Sequence, residues 1–183
     1  MQHPNILELS RSALLIIDMQ EAFRASIKNF DTLAQRIVVA TKGAHLLSLP
    51  IIVTEQYPKG LGHTANEIVE ALPGDIEILE KTTFSSCGAQ QFQSKLQDIK
   101  HVLVAGIEAH ICVNQTVHDL LSADFKVHLL TDCIASRNKN DRKAAVAKMQ
   151  SAGAILSSVE MSLFELMRDA RHEQFKAIQG LVK

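Results

Sequence analysis

Three side chains of this 183-residue chain, Asp18, Lys81 and Cys112, have the types and positions needed for proton transfer and nucleophilic attack. Asp18 ends ALLIID (13–18), after five apolar residues. Burial there would raise its pKa and suit it to proton transfer near neutral pH. Lys81 ends DIEILEK (75–81) and offers a positive field to an anion. Cys112 lies in AGIEAHICV (105–113), at the expected first turn of a helix. Unpaired N–H groups and the helix dipole favour a thiolate at such a position. Each residue also has a plainer reading. Asp18 suits the N-cap of a short helix starting near Met19 or Gln20. Lys81 suits a solvated strand end, and Cys112 a buried packing thiol. Taken together, they supply an acid/base, a charge stabiliser and a nucleophile for one pocket.

Other candidates are weaker. His110 stands two residues before Cys112 as a second possible base, but the sequence shows no Asn or Asp to orient it. His45, His63, His101, His110, His118, His128 and His172 show no HxxxH or DxH spacing, so no metal is expected. Cys87 and Cys133 lack the helix-start placement and read as packing residues. No resolving cysteine neighbours Cys112, which ranks a redox role below a nucleophilic one.

The elements that position these residues alternate regularly. ALLIID (13–18) is apolar on both faces, as a buried parallel strand should be. Leu33, Ile37, Ala40, Ala44 and Leu47 then mark a helix face. Further strands are expected at 50–55, 75–81, 101–106, 126–132 and 154–158. Helices are expected over 65–72, 88–98, 111–123, 140–151, 160–168 and 171–179, with an irregular loop at 56–64. This alternation implies an α/β fold, a parallel sheet of six strands covered by helices on both faces. In such sheets ligands bind beyond the carboxyl ends of the strands, where strand order reverses. Asp18, Lys81 and Cys112 follow the first, third and fourth strands. Loop residues beside them, Phe23, Gln56, Tyr57 and Phe84, are candidates to line the pocket.

Composition sets the outer bounds. The hydrophobic fraction is 46%, the charged fraction 21% and the net charge −1, as expected of one globular domain spanning 1–183. No basic footprint for nucleic acid is visible. The first residues lack a basic segment followed by an apolar one, and every apolar run is strand-sized, so neither a secretory leader nor a membrane span is expected. Three cysteines without a pairing pattern fit a reduced cytoplasm.

Five motifs carry a resemblance that runs across almost the whole chain: LLIIDMQEAF (14–23), VTEQYPKGLGHT (53–64), EKTTFS (80–85), VAGIEAHICV (104–113) and LLTDCIASR (129–137). In type and order they resemble the isochorismatase-like (cysteine hydrolase) superfamily. The TEQxPKGLG stretch is similar to the subgroup of isochorismatase-domain-containing proteins and their bacterial relatives. The resemblance implies a Rossmann-like three-layer α/β/α fold with strand order 3-2-1-4-5-6. It implies an Asp-Lys-Cys triad, which falls on Asp18, Lys81 and Cys112. It also implies a non-proline cis peptide at Ile107–Glu108, aiming N–H groups near Ala109 and from Cys112 into an oxyanion hole. Two departures narrow the chemistry. The Asp-x-His metal motif of nicotinamidases is replaced here by Glu55-Gln56-Tyr57. True isochorismatases lack the cysteine that this chain carries.

The expected function is a cysteine-dependent hydrolase of a small amide, carbamoyl or related C–N substrate, without a cofactor. A non-catalytic binding or scaffolding protein with a vestigial pocket is the alternative. Expected partners are a small-molecule substrate and, from the resemblance, further copies of the chain, with no nucleic acid and no membrane. Leu163, Phe164, Leu166 and Met167 suit either a subunit interface or the core.

Overall fold

The structure, a computed structural model, describes residues 3–74 and 76–183. Six strands are hydrogen-bonded in parallel: β1 (Ser12–Ile17), β2 (Ile51–Gln56), β3 (Ile78–Lys81), β4 (His101–Gly106), β5 (Lys126–Ile134) and β6 (Ile155–Ser157). Their order in the sheet is β3-β2-β1-β4-β5-β6, so the chain winds outwards in one direction from β1 and in the other from β4. The reversal lies between the carboxyl ends of β1 and β4. There the crossovers leave in opposite directions and open a crevice.

Helices cover both faces. α1 (Phe30–Leu46), α7 (Val159–Met167) and α8 (Phe175–Val182) pack together on one side, with the short α3 (Asn66–Val69) against α1. The four-residue α4 (Phe92–Lys95), α5 (Asn114–Ser122) and α6 (Lys139–Ser151) contribute to the other side. The strands feed both layers by their alternation. Leu14 and Ile16 join the α1 side, while Leu15 and Ile17 join the α5 side. On β4, Leu103 and Ala105 face one way and Val102 and Val104 the other. This double burial is why the central strands read as continuous apolar runs.

Several boundaries differ from those expected. The strand at 75–81 begins only at Ile78, and Asp75 falls outside the described residues. The segment at 88–98 is α-helical only over Phe92–Lys95, after a 3-10 turn at Ser86–Gly88. The loop 56–64 contains one helical turn, α2 (Pro58–Leu61). Leu163, Leu166 and Met167 are buried in the core beneath α7, whereas Phe164 is partly exposed and meets Phe175 edge-on. Three of the four residues considered for an interface are therefore core. No helix among the described residues is long and apolar enough to cross a membrane.

Candidate active site

Asp18 is the first residue beyond β1. Its N–H donates to the Thr54 carbonyl at 3.0 Å, which extends the β1–β2 pairing by one step. The backbone then turns into the left-handed region, with φ 52°, a conformation that Asp tolerates better than most residues. The side chain is not a helix cap. It is 1% exposed, accepts from Thr54 Oγ1 at 2.9 Å and from Lys81 Nζ at 2.6 Å. The capping alternative is thereby replaced by a buried ion pair.

Lys81 reaches Asp18 from two strands away because β2 lies between them in register, with Gln56 opposite Lys81. The Lys81 side chain is fully buried. Its ammonium also donates to Gln56 Oε1 at 2.8 Å and to the carbonyls of Phe84 at 3.0 Å and Thr83 at 3.2 Å. A buried ammonium is tolerated when carboxylate and carbonyl oxygens surround it in this way.

Cys112 lies in a single π-helical turn, Ala109–Val113, that precedes α5. Such turns recur at functional sites. The Ile107–Glu108 peptide before it is cis. Gly106, at φ 126°, lets β4 pass against β1 at that point, since a Cβ there would sit 2.1 Å from the Ile17 carbonyl oxygen. Cys112 is 7% exposed. Its thiol interacts with the Asp18 carboxylate, and Lys81 acts on both.

These neighbours oppose a resting thiolate. Burial, then the Asp18 charge, pushes the Cys112 thiol up to about 12, and Lys81 only partly offsets them. Burial likewise raises Asp18, against the lowering effects of Lys81, Cys112 and Thr54. The lowered thiol pKa expected from a helix start is overturned, because desolvation and a facing carboxylate outweigh the helix dipole. The resting pair is a neutral thiol beside a carboxylate that can take its proton.

The pocket at Cys112 holds about 170 Å³. Asp18, Cys112, Glu108 and Gln56 line it with polar groups. Phe23, Leu61, Phe84, Ile107 and Ile111 supply apolar walls. Of the loop residues singled out from sequence, Phe23, Gln56 and Phe84 are here. Tyr57 is not: it is 53% exposed, its ring lies against Gly60, and it lines a separate cleft with Lys59 and Glu80. Gln56 is tied to Lys81 and donates from Nε2 to the Thr82 carbonyl at 2.8 Å. Its observed role is to hold the lysine. The Ala109 N–H, expected near an oxyanion hole, donates instead to the Ala135 carbonyl at 2.8 Å, and the Ile111 N–H to the Glu108 carbonyl at 3.0 Å.

His110 faces elsewhere. Its Nδ1 lies 3.0 Å from Ser136 Oγ and its Nε2 4.0 Å from Asp141, at a shallow cleft that does not include Cys112. The histidine thus has partners that the sequence did not reveal, and they draw it away from the thiol. Cys133 is fully buried and Cys87 partly so, and burial raises both thiols. Among the described residues, no three His, Cys, Asp or Glu side chains are grouped as a metal site requires.

Supporting residues appear that sequence reasoning missed. Gln20, fully buried, accepts from the Gln56 N–H at 2.8 Å and donates to the Gln56 carbonyl at 3.0 Å and the Gly62 carbonyl at 2.7 Å. It clamps the end of β2 to the loop around the pocket. A hydroxyl chain joins the acid to the thiol's own turn. Thr54 Oγ1 meets Ser86 Oγ at 3.3 Å, the Ser86 N–H donates to Thr116 Oγ1 at 2.9 Å, and Thr116 donates to the Cys112 carbonyl at 2.7 Å. Thr54 shows in the sequence only as a polar residue in an apolar strand, and Gln20, Ser86 and Thr116 show nothing that separates them from other polar residues.

Comparison with known proteins agrees with this architecture. The family model described as the isochorismatase domain matches residues 12–161. Human isochorismatase domain-containing protein 2 is 42% identical, over 94% of this chain and 83% of its own length. The structure of MAR1 ribonuclease from Caenorhabditis elegans superposes with a TM-score of 0.94 at 40% identity, covering 97% of this chain and 92% of that one. Pseudomonas aeruginosa YcaC, solved with hexane-2,5-diol and covalent acrylamide, gives a TM-score of 0.89 at 26% identity, over 99% of this chain and 93% of that one. With the family model spanning most of the chain and the sheet order matching, the protein belongs to the isochorismatase family, in the subgroup of isochorismatase domain-containing proteins.

Proposed function

We propose that this isochorismatase-family hydrolase cleaves the C–N bond of a small amide or carbamoyl compound, with Asp18, Lys81 and Cys112 as its catalytic residues. The observation that carries this reading is the buried Lys81–Asp18 pair, 2.6 Å apart, against the Cys112 thiol that lines a pocket of about 170 Å³. The covalent acrylamide in YcaC, one neighbour of the same fold, supports a reactive group here as well.

The mechanism follows from the charges. Asp18 takes the Sγ proton as substrate excludes water, and the sulfur attacks the carbonyl carbon. Lys81 compensates the carboxylate charge before and after this transfer. The backbone N–H of Cys112, rather than those of Ala109 and Ile111, is the oxyanion donor. The protonated Asp18 gives its proton to the departing nitrogen, the C–N bond breaks, and a thioester remains. A water deprotonated by Asp18 then releases the acid and restores the thiol. The small, mostly apolar pocket favours a small-molecule substrate.

The test is a screen of purified protein for ammonia or amine release from small amides and carbamoyl compounds, with intact mass on any hit. Turnover with a Cys112 acyl adduct is expected, and Cys112→Ala should abolish both. Undiminished turnover by Cys112→Ala would overturn the nucleophile assignment. Complete inertness, with no Cys112 adduct formed by any compound of the screen, would favour the scaffolding alternative. A second reading, RNA hydrolysis, is favoured by the similarity to MAR1 ribonuclease; RNA cleavage lost in Cys112→Ala would select it. The three free thiols support a reducing, cytoplasmic setting. Exposed Phe164 and Met161 on α7 support self-association, which light scattering measures.

A further inference from the structure

A second cleft, of about 580 Å³, lies between the start of α1 and the segment following β5. Five cations line it, Lys28, Arg36, Arg137, Lys139 and Arg142, against one carboxylate, Asp132, among the described residues. The whole chain has a net charge of −1, so this is a local concentration of positive charge, and concave low-dielectric walls focus such a field. Asp132 is already engaged, accepting from Arg36 Nε at 2.8 Å and from the Val159 N–H at 3.1 Å. Arg142 is fixed by the carbonyls of Ile134 at 3.1 Å and Thr131 at 2.5 Å, which orient it without neutralising it. Lys28 and Lys139 are exposed and have no ion-pair partner among the described residues. Guanidinium groups held in place and facing a cavity are suited to carboxylate and phosphate oxygens.

The cleft is coupled to the pocket at Cys112. Arg137 donates from Nε to both oxygens of Glu108, at 3.0 and 3.1 Å, and from its backbone N–H at 2.9 Å. Glu108 is buried and lines the Cys112 pocket, where its charge works against thiolate formation. Arg137 lines the cleft on the other side of this pair. An anion that draws the guanidinium towards the cleft leaves Glu108 less neutralised beside the thiol.

We propose that this cleft binds a small molecule bearing at least two carboxylate or phosphate charges, and that its occupancy slows Cys112 deprotonation through the Arg137–Glu108 pair. A small ligand fits better than RNA, because no aromatic side chain lines the cleft to stack a base. The site goes beyond the hydrolase reading, since binding here requires no turnover.

Isothermal titration calorimetry of the full chain with inorganic pyrophosphate, at near-physiological ionic strength, tests the site. Saturable binding is expected, weakened roughly tenfold or more in Lys28→Glu/Lys139→Glu, whose melting temperature should stay unchanged because both side chains are exposed. No saturable binding, or equal binding by the variant, overturns the site. A short single-stranded RNA that binds in a Lys28- and Lys139-dependent way where pyrophosphate does not would overturn the small-molecule assignment. The coupling has its own readout: the rate of Cys112 alkylation by iodoacetamide, followed by mass. Saturating pyrophosphate should slow it in the native protein and not in Arg137→Gln; equal rates overturn the coupling. Cys112→Ala is expected to bind pyrophosphate normally, so failure of the hydrolase reading leaves the calorimetric result standing.

Discussion

Asp18 has two opposed effects on Cys112: its charge raises the thiol pKa, and its carboxylate is the base positioned to take the proton. Replacing Asp18 with Asn separates them. The thiol then faces Lys81 without the competing charge, so its pKa falls. Iodoacetamide alkylation of Cys112 near neutral pH should rise by about tenfold or more, a shift of at least roughly one unit. In the native protein the same rate should keep climbing with pH through the alkaline range, because the thiol is held up to about 12. Turnover on any substrate found should move the other way, by about 10²–10⁴-fold, the usual contribution of a positioned acid/base. Slower alkylation in Asp18→Asn would mean the carboxylate activates the resting thiol, contrary to the electrostatics. The three residues were legible from their places after strands. Their electrostatics were not, because a helix-start argument sees the dipole but not burial or the facing carboxylate. Thr54 was also illegible, since a polar residue in an apolar run shows its partner only once the strands are in register, and Gln20 and Ser86, outside the strands, have partners far away in sequence. Tyr57 failed for a local reason: its backbone turns into the left-handed region, φ 39°, and the ring is placed over Gly60 and not over the pocket.

At the scale of elements, the site exists because three strand ends meet, and two substitutions probe that meeting. Lys81→Met removes the cation from a pair whose side chains are 0% and 1% exposed, leaving Asp18 buried and uncompensated. Urea unfolding should show a loss of about 3–5 kcal/mol, the usual cost of breaking a buried pair on one side. Adding Asp18→Asn to Lys81→Met should restore part of it; a double variant no more stable than the single would indicate lost packing instead of an unpaired charge. Gly106→Ala addresses the crossing of β4 and β1. The residue sits at φ 126°, and the added methyl would meet the Ile17 carbonyl oxygen at 2.1 Å. We expect a loss of more than about 3 kcal/mol, or failure to fold, read from the melting temperature. A near-native melting temperature would show that the two strands can separate locally. Strand order is consistent with the alternating pattern because β1, β4 and the body of β5 are apolar on both faces. The four-residue helices α2, α3 and α4 are too short for a helical period to stand out, and β3 begins late because Ile76 and Glu77 precede its pairing with β2.

At the scale of the whole molecule, the sheet has a second polar feature at the end remote from the site. His101, at the start of β4, and His128 on β5 are 2% and 1% exposed, with Nδ1 of the first 3.1 Å from Nε2 of the second. One ring must donate and the other accept, so the pair is compatible with two neutral imidazoles and opposes a second charge. Burial, then His101 and Lys126, lowers His128 to about 4; burial, then Lys100, lowers His101. The sign follows from linkage. Above about pH 6.5 the histidines are neutral in both folded and unfolded chains and contribute no slope. Between about 6.5 and 4 the unfolded chain takes up protons that the folded chain refuses, so stability falls with pH, by roughly 3 kcal/mol for His128. Asp18, with its raised pKa, works in the opposite direction over the acid range and reduces the net effect. Urea unfolding at pH 7.5, 5.5 and 4.5 should therefore show a falling free energy, and His128→Leu should flatten that fall even if it lowers the value at pH 7.5. An unchanged slope in the variant would remove the imidazole pair as the origin. Because the pair lies at the amino ends of β4 and β5, the pH profile of Cys112 alkylation should be the same in His128→Leu as in the native chain wherever both are folded. Acid sensitivity of the fold and proton chemistry at the site are then separable properties of opposite ends of one sheet.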